Sequence, residues 1–183
     1  MRASAPSKPP SIMNIRSATP QDIDAIVALV ESAYRGDSGR EGWTTESDLI
    51  GGQRTDRYEI ETLLQSPNAT FLVAEDHGEL ISSCLLERQE DGLYFGMFAV
   101  RPTRQGDGTG KKMMAHAERV AREQGCAQMK MQVIAQREEL IAWYKRRGYA
   151  ETGGTQPFPY GDERYGIPMR DDLYFIEMIK PLE

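Results

Sequence analysis

Residues 105–110, Gln-Gly-Asp-Gly-Thr-Gly, constrain this chain more than any other stretch. They separate an apolar, strand-like run at 93–100 from a helical run at 111–124, and so mark a strand–turn–helix unit. A glycine-rich turn that enters a helix exposes unpaired backbone N–H groups at the positive end of the helix dipole. Such a terminus holds a phosphate or pyrophosphate without a dedicated cationic side chain. The ligand that this turn accepts is therefore the first question about function.

The rest of the chain supplies the frame. Residues 12–17 read as a first strand, and Thr19-Pro20-Gln21-Asp22 starts a helix with an N-cap, a proline in the first turn and an acid behind it. Ile23, Ile26, Val27, Val30 and Tyr34 then recur at helical spacing, so one face of that helix is buried. Residues 36–54 read as a long loop or partial helix, a length that is usually functional or disordered. A short helix follows from Thr55, then a hairpin of strands 70–75 and 79–87 around Asp76-His77-Gly78. After the glycine turn, the helix buries Met113, Met114, Ala117, Val120 and Ala121 and stops at Gly125. A strand at 129–134, a helix at 137–147 and strands at 149–152 and 173–179 complete the order, with a Pro/Gly/Tyr-rich loop at 153–172. This succession predicts a mixed sheet with helices on both faces.

Composition narrows the classes. At 183 residues the chain suits one domain with a substantial core, spanning residues 12–183. Residues 1–11 are Pro/Ser-rich, lack the apolar core of a signal peptide, and read as a disordered tail. A net charge of −6 argues against nucleic acid or an anionic membrane as partner, and no apolar run reaches the length of a bilayer span. Cys84, Cys126, His77 and His116 fit no metal-ligand spacing, so the default is a cytoplasmic, metal-free protein.

Three glycine-rich motifs compete for the turn. A nucleotide-binding P-loop needs G-x-x-x-x-G-K-[ST], but Gly106 to Gly110 is one residue short and Lys111 is followed by Lys112, without a hydroxyl. A dinucleotide fold needs G-x-G-x-x-G and an acid roughly 20 residues on, which the strand at 129–134 does not supply. The third fits: Gln105-x-x-Gly108-x-Gly110, just after Phe98-Ala99-Val100, matches [R/Q]-x-x-G-x-[G/A]. That is the pyrophosphate signature of the GNAT superfamily of acyl-CoA N-acetyltransferases, which this chain resembles. The element order agrees, and Trp143-Tyr144-Lys145-Arg146-Arg147-Gly148-Tyr149 resembles the family's late helix. The resemblance runs from about Met13 to the C-terminus.

The resemblance implies an α/β fold whose central mixed, mainly antiparallel sheet splays into a V-shaped gap. It implies acetyl-CoA as cosubstrate, with the backbone of Phe98, Ala99 and Val100 beside the pantetheine arm. Gln105, Gly106, Asp107, Gly108, Thr109, Gly110 and Lys111 would hold the pyrophosphate. Tyr144 matches the tyrosine that protonates the departing thiolate. A phenol, with a pKa of about 10, stays protonated at neutral pH and suits that task. The general base departs from part of the family, because Tyr94 stands where some members carry a glutamate. Glu46, on the loop that lines the acceptor side, is the substitute candidate, an ordered water being the other route.

Acceptor contacts are expected from Trp43, Arg54, Tyr94, Tyr160, Asp162 and Arg164, with Tyr165 and Arg170 nearby. Acids and arginines side by side suit a small amine that also bears a carboxylate, such as an amino acid. Dimers are common in the family, so a homodimer is an expected state. The rival with the same fold is a non-catalytic acyl-CoA sensor; a nucleotide-dependent enzyme would bind ATP or NAD in place of CoA.

Overall fold

In the computed structural model of the chain, residues 13–35, 46 and 48–183 are described. The expected tail and Trp43 lie outside them. The elements are β1 (Asn14–Ser17), α1 (Ile23–Tyr34), β2 (Ile50–Gly51), α2 (Arg57–Gln65), β3 (Ala69–Asp76), β4 (Glu79–Gln89) and β5 (Gly92–Val100). They continue with α3 (Thr109–Glu123), β6 (Gln128–Ile134), α4 (Glu138–Lys145), β7 (Ala150–Pro157), β8 (Ile167–Pro168) and β9 (Tyr174–Pro181). Seven strands form one sheet in the order β1-β3-β4-β5-β6-β9-β7, antiparallel except at β5–β6. This is the mixed, mainly antiparallel sheet expected from the sequence.

Strand alternation divides the core between the two faces of the sheet. In β3, Phe71 and Val73 pack with Ile26, Val30 and Ile60 of α1 and α2, while Leu72 and Ala74 join the cluster that holds Met113 and Ala117 of α3 and Leu140 of α4. Helices therefore cover both faces. Two-residue turn chemistry sets the β3–β4 hairpin: His77 and Gly78 both have positive φ (51° and 78°), which matches the twist of the flanking strands.

The gap that organises the site follows from strand pairing. The parallel ladder of β5 and β6 consists of Leu93 opposite Met129 and Tyr94 opposite Lys130, after which the strands part. β6 stays paired to β9 from Gln128 to Ile134, so β5 is the strand that diverges. A bulge makes it diverge. Between Gly96 and Ala99 β5 carries two residues against one on β4, and Met97 has φ 44°. Leu93 and Phe95 face the α3–α4 cluster, and the extra residue returns Phe98 and Val100 to that same face.

Three boundaries differ from expectation. α3 starts at Thr109, two residues early, because Asp107 accepts hydrogen bonds from the Thr109 amide (3.0 Å) and hydroxyl (2.5 Å). Residues 153–157, read as loop, extend β7, and a bulge between Glu151 and Thr155 absorbs Gly153 at φ 87°. The expected loops at 36–54 and 153–172 also meet each other, since β2 pairs with β8. Gly166 (φ 92°) makes that approach possible: a Cβ there would stand 2.4 Å from Ile50 Cγ2 and 2.8 Å from the Gly51 carbonyl.

Candidate active site

On the α3–α4 side the gap opens into a cavity of about 490 Å³. One wall is Phe98, Val100, Gln105, Gly106, Gly108, Gly110 and Lys111. Gly108 is the N-cap of α3, at φ 88°, and Gly106 has φ 87°. Nothing lies within 4 Å of where a Cβ would stand at either position, so the backbone is bare toward open space. Helix geometry leaves the Gly110 and Lys111 amides without helical partners, whereas the Lys112 amide is bonded to the Gly108 carbonyl. Asp107 turns aside: its carboxylate is held by Thr109 and by Arg104 at 2.7 Å. Ala99 and Thr109 do not line the cavity either, and Ala99 packs against the α1 side.

The opposite wall is α4 and the residues after it: Glu139, Ala142, Trp143, Arg146 and Arg147. The Arg147 guanidinium lies 3.6 Å from the Trp143 ring centroid, yet its Nε is buried without a hydrogen-bond partner among the described residues. Lys111, Arg146 and Arg147 give the cavity a cationic rim over bare amides. That donor set fits a ligand with several phosphates, and a CoA thioester is one. Gly110 supports the arrangement from below, since a Cβ there would come within 3.3 Å of Phe98 and 3.5 Å of Trp143.

Three tyrosines gather where β5 leaves β6. Tyr34, from the end of α1, is buried and donates its hydroxyl to the Phe98 carbonyl. Gln105 donates likewise to the Val100 carbonyl at 3.0 Å, so side chains hold the diverging strand in place. Tyr144 is buried between Trp143 and Tyr149, edge-on to both (5.4 and 5.9 Å between centroids). Tyr94 lies over Gly96, where a Cβ would strike its ring at 2.6 Å. Burial raises the pKa of all three above the usual phenol value. They are neutral hydroxyls at physiological pH.

Beside them lies a buried charge cluster. Glu46 is bonded by Arg35 at 2.5 Å and by Arg137 at 3.2 Å, and all three side chains are less than a tenth exposed. Burial works against the Glu46 anion, but Arg137, Arg35 and Arg54 outweigh it and hold the carboxyl below its ordinary range. A carboxylate so held is a poor proton acceptor near neutral pH, which argues against the expected general-base role. Arg54 and Arg137 also flank the Tyr34 ring at 5.4 and 5.7 Å.

The other expected acceptor residues sit differently. Tyr94, together with Gln89, Lys130, Gln132, Gln156 and Glu177, lines a polar pocket of about 270 Å³ over the β5–β6 junction. Tyr160 donates to the Arg170 carbonyl and accepts from the Leu173 amide, and Asp162 is paired with Arg164 at 2.5 Å. These contacts staple the 158–173 loop to itself. Tyr34, Arg35 and Arg137 belong to this candidate site but were not assigned to it from the sequence; the one signal was a tyrosine on the buried face of the helix, followed directly by an arginine.

The sequence profile of the Acetyltransferase (GNAT) family matches residues 28–149, two thirds of the chain, including β5, the glycine turn and the Trp143-Tyr144 pair. The chain belongs to that family. Solved structures agree on the fold. The ribosomal-protein-S18-alanine N-acetyltransferase of Escherichia coli superposes with a TM-score of 0.70 at 16% identity, over 94% of this chain and 95% of that one. The ribosomal-protein-alanine N-acetyltransferase of Brucella melitensis gives 0.69 at 21% identity, over 92% and 99%. Nourseothricin acetyltransferase gives 0.67 at 19%, over 93% and 99%. No curated protein sequence matches the chain. Among the described residues no group of His, Cys, Asp or Glu is placed to hold a metal, and no helix is long and apolar enough to cross a membrane.

Proposed function

We propose that this GNAT acetyltransferase moves an acetyl group from acetyl-CoA to the primary amine of a small molecule by direct attack. One observation carries the reading: the bare-amide cavity and the tyrosine-lined gap meet at Phe98, whose side chain walls the cavity and whose carbonyl holds Tyr34. When bound, acetyl-CoA supplies a thioester carbonyl open to a nucleophile.

The chain's own groups do the rest. The amides of Gly106, Gly108, Gly110 and Lys111, with the side chains of Gln105, Lys111 and Arg147, hold the phosphates, and the Phe98–Val100 backbone aligns the arm along the gap. The acceptor enters from the opposite side, by Tyr94 and the 270 Å³ pocket. The acceptor ammonium first loses one proton through water past Tyr94, and the freed lone pair adds to the thioester carbonyl, forming the C–N bond and an oxyanion. As the oxyanion collapses the C–S bond breaks, its electron pair goes to sulfur and Tyr144 protonates that sulfur. The nitrogen gives its second proton to water, and the phenol takes one back from solvent. Glu46 acts as a positioning residue, fixing Arg35 and Arg137. Holding amine and thioester together supplies much of the rate, with backbone N–H groups at the developing oxyanion.

Thiol release from acetyl-CoA across a panel of primary amines tests this. Turnover that Tyr144→Phe lowers supports it. Binding of acetyl-CoA with no turnover on any amine would identify an acyl-CoA sensor instead.

A further inference from the structure

At the inner end of the gap, Arg35, Arg54 and Arg137 face one carboxylate among the described residues, Glu46, which Arg35 and Arg137 already share. Arg54 differs from both. It is half-buried, makes no ion pair and donates no side-chain hydrogen bond among the described residues. Its head lies 5.4 Å from the Tyr34 ring centroid, and its charge acts on Tyr34, Glu46 and Tyr94.

Its backbone, by contrast, is pinned. The amides of Arg54 and Thr55 both donate to Glu31 Oε1 at 2.7 Å, which commits that oxygen to main chain. The loop arginines contrast again: Arg164 and Arg170 pair with Asp162 and Asp172 two residues away. A fixed stem carrying a guanidinium that forms no ion pair among the described residues, beside the proposed acceptor gap, suits an anion.

We infer that Arg54 reads a carboxylate on the acceptor, so that the substrate is an amino acid or a zwitterion like it; this rests on the transferase activity proposed above. A plain amine enters as a cation and is repelled; a carboxylate bonded to Arg54 cancels that repulsion and aims the nitrogen at the gap.

The test compares the proteinogenic amino acids with their methyl esters, which keep the amine and lose the anion. For the best amino acid, kcat/KM should exceed that of its ester by about 10- to 100-fold in the wild type. The ratio should collapse toward one in Arg54→Leu and recover partly in Arg54→Lys. Calorimetry with the same amino acid and the protein saturated with free CoA should show binding that Arg54→Leu weakens. Circular dichroism and acetyl-CoA titration of each variant report the fold and the other half of the site. Equal use of acid and ester, or a preference that survives Arg54→Leu, overturns the inference while the transferase stands. No turnover on any amine removes the transferase reading and this inference with it.

Discussion

The two halves of the site are built from different materials. The cavity side is backbone: glycines at positive φ, free amides of a helix start, and aromatic rings packed beneath. The proposed acceptor side is side-chain charge: buried Arg35, Glu46 and Arg137, half-buried Arg54 and the tyrosines beside them. Backbone sites are rigid and local, and they tolerate changes elsewhere. A buried charge cluster fails as a unit when one member is removed, because the remaining charges keep their desolvation cost.

That contrast can be broken by mutation. Glu46→Gln removes the buried carboxylate that Arg35 and Arg137 share and should cost about 3–5 kcal/mol of stability in urea unfolding. A loss below 1 kcal/mol would mean that water already solvates the cluster. Tyr144→Phe deletes one hydroxyl from a buried ring and should lower kcat by about 10²-fold or more while acetyl-CoA still binds. An unchanged kcat would make Tyr144 a packing residue.

Smaller effects sharpen the comparison. Gly166→Ala pushes the 158–173 loop off β2, so it should cost about 1–3 kcal/mol and raise the acceptor KM, with acetyl-CoA affinity unmoved. A parallel loss of acetyl-CoA affinity would show that the halves are coupled. The pH dependence has a definite sign. The folded carboxyl of Glu46 is held below its ordinary value of 4.5, so its contribution is complete above the unfolded pKa. It is lost as pH falls through the folded pKa. Wild-type stability should therefore drop below about pH 5 more steeply than that of Glu46→Gln, measured by unfolding from pH 7 to 3. Parallel profiles would assign the acid sensitivity elsewhere.

The same contrast decided what could be read from the chain. The cavity was legible because its donors are contiguous, at 105–110, and because Trp143-Tyr144 follows in a recognisable helix. The mixed sheet was legible from element order. The bulge at Met97 was hidden, since residues 93–100 are almost continuously apolar and offer no alternation for an extra residue to break. The charge cluster was only half legible. Glu46 and Arg54 were expected on the acceptor side, but nothing in the sequence ties them to Arg35 or to Arg137, which lies 91 residues beyond Glu46. Gly153-Gly154 read as loop because glycine pairs usually mark one, whereas an edge strand accommodates them in a bulge.

The central claim is that bare backbone at the start of α3 binds acetyl-CoA. Calorimetric titration of the purified protein with acetyl-CoA, beside Gly108→Glu, tests it most directly. The account predicts micromolar binding by the wild type that the variant loses, because a glutamate at φ 88° strains the turn and puts an anion where phosphate belongs. No binding by the wild type, or equal binding by both, would contradict it and leave the glycine turn a purely structural feature.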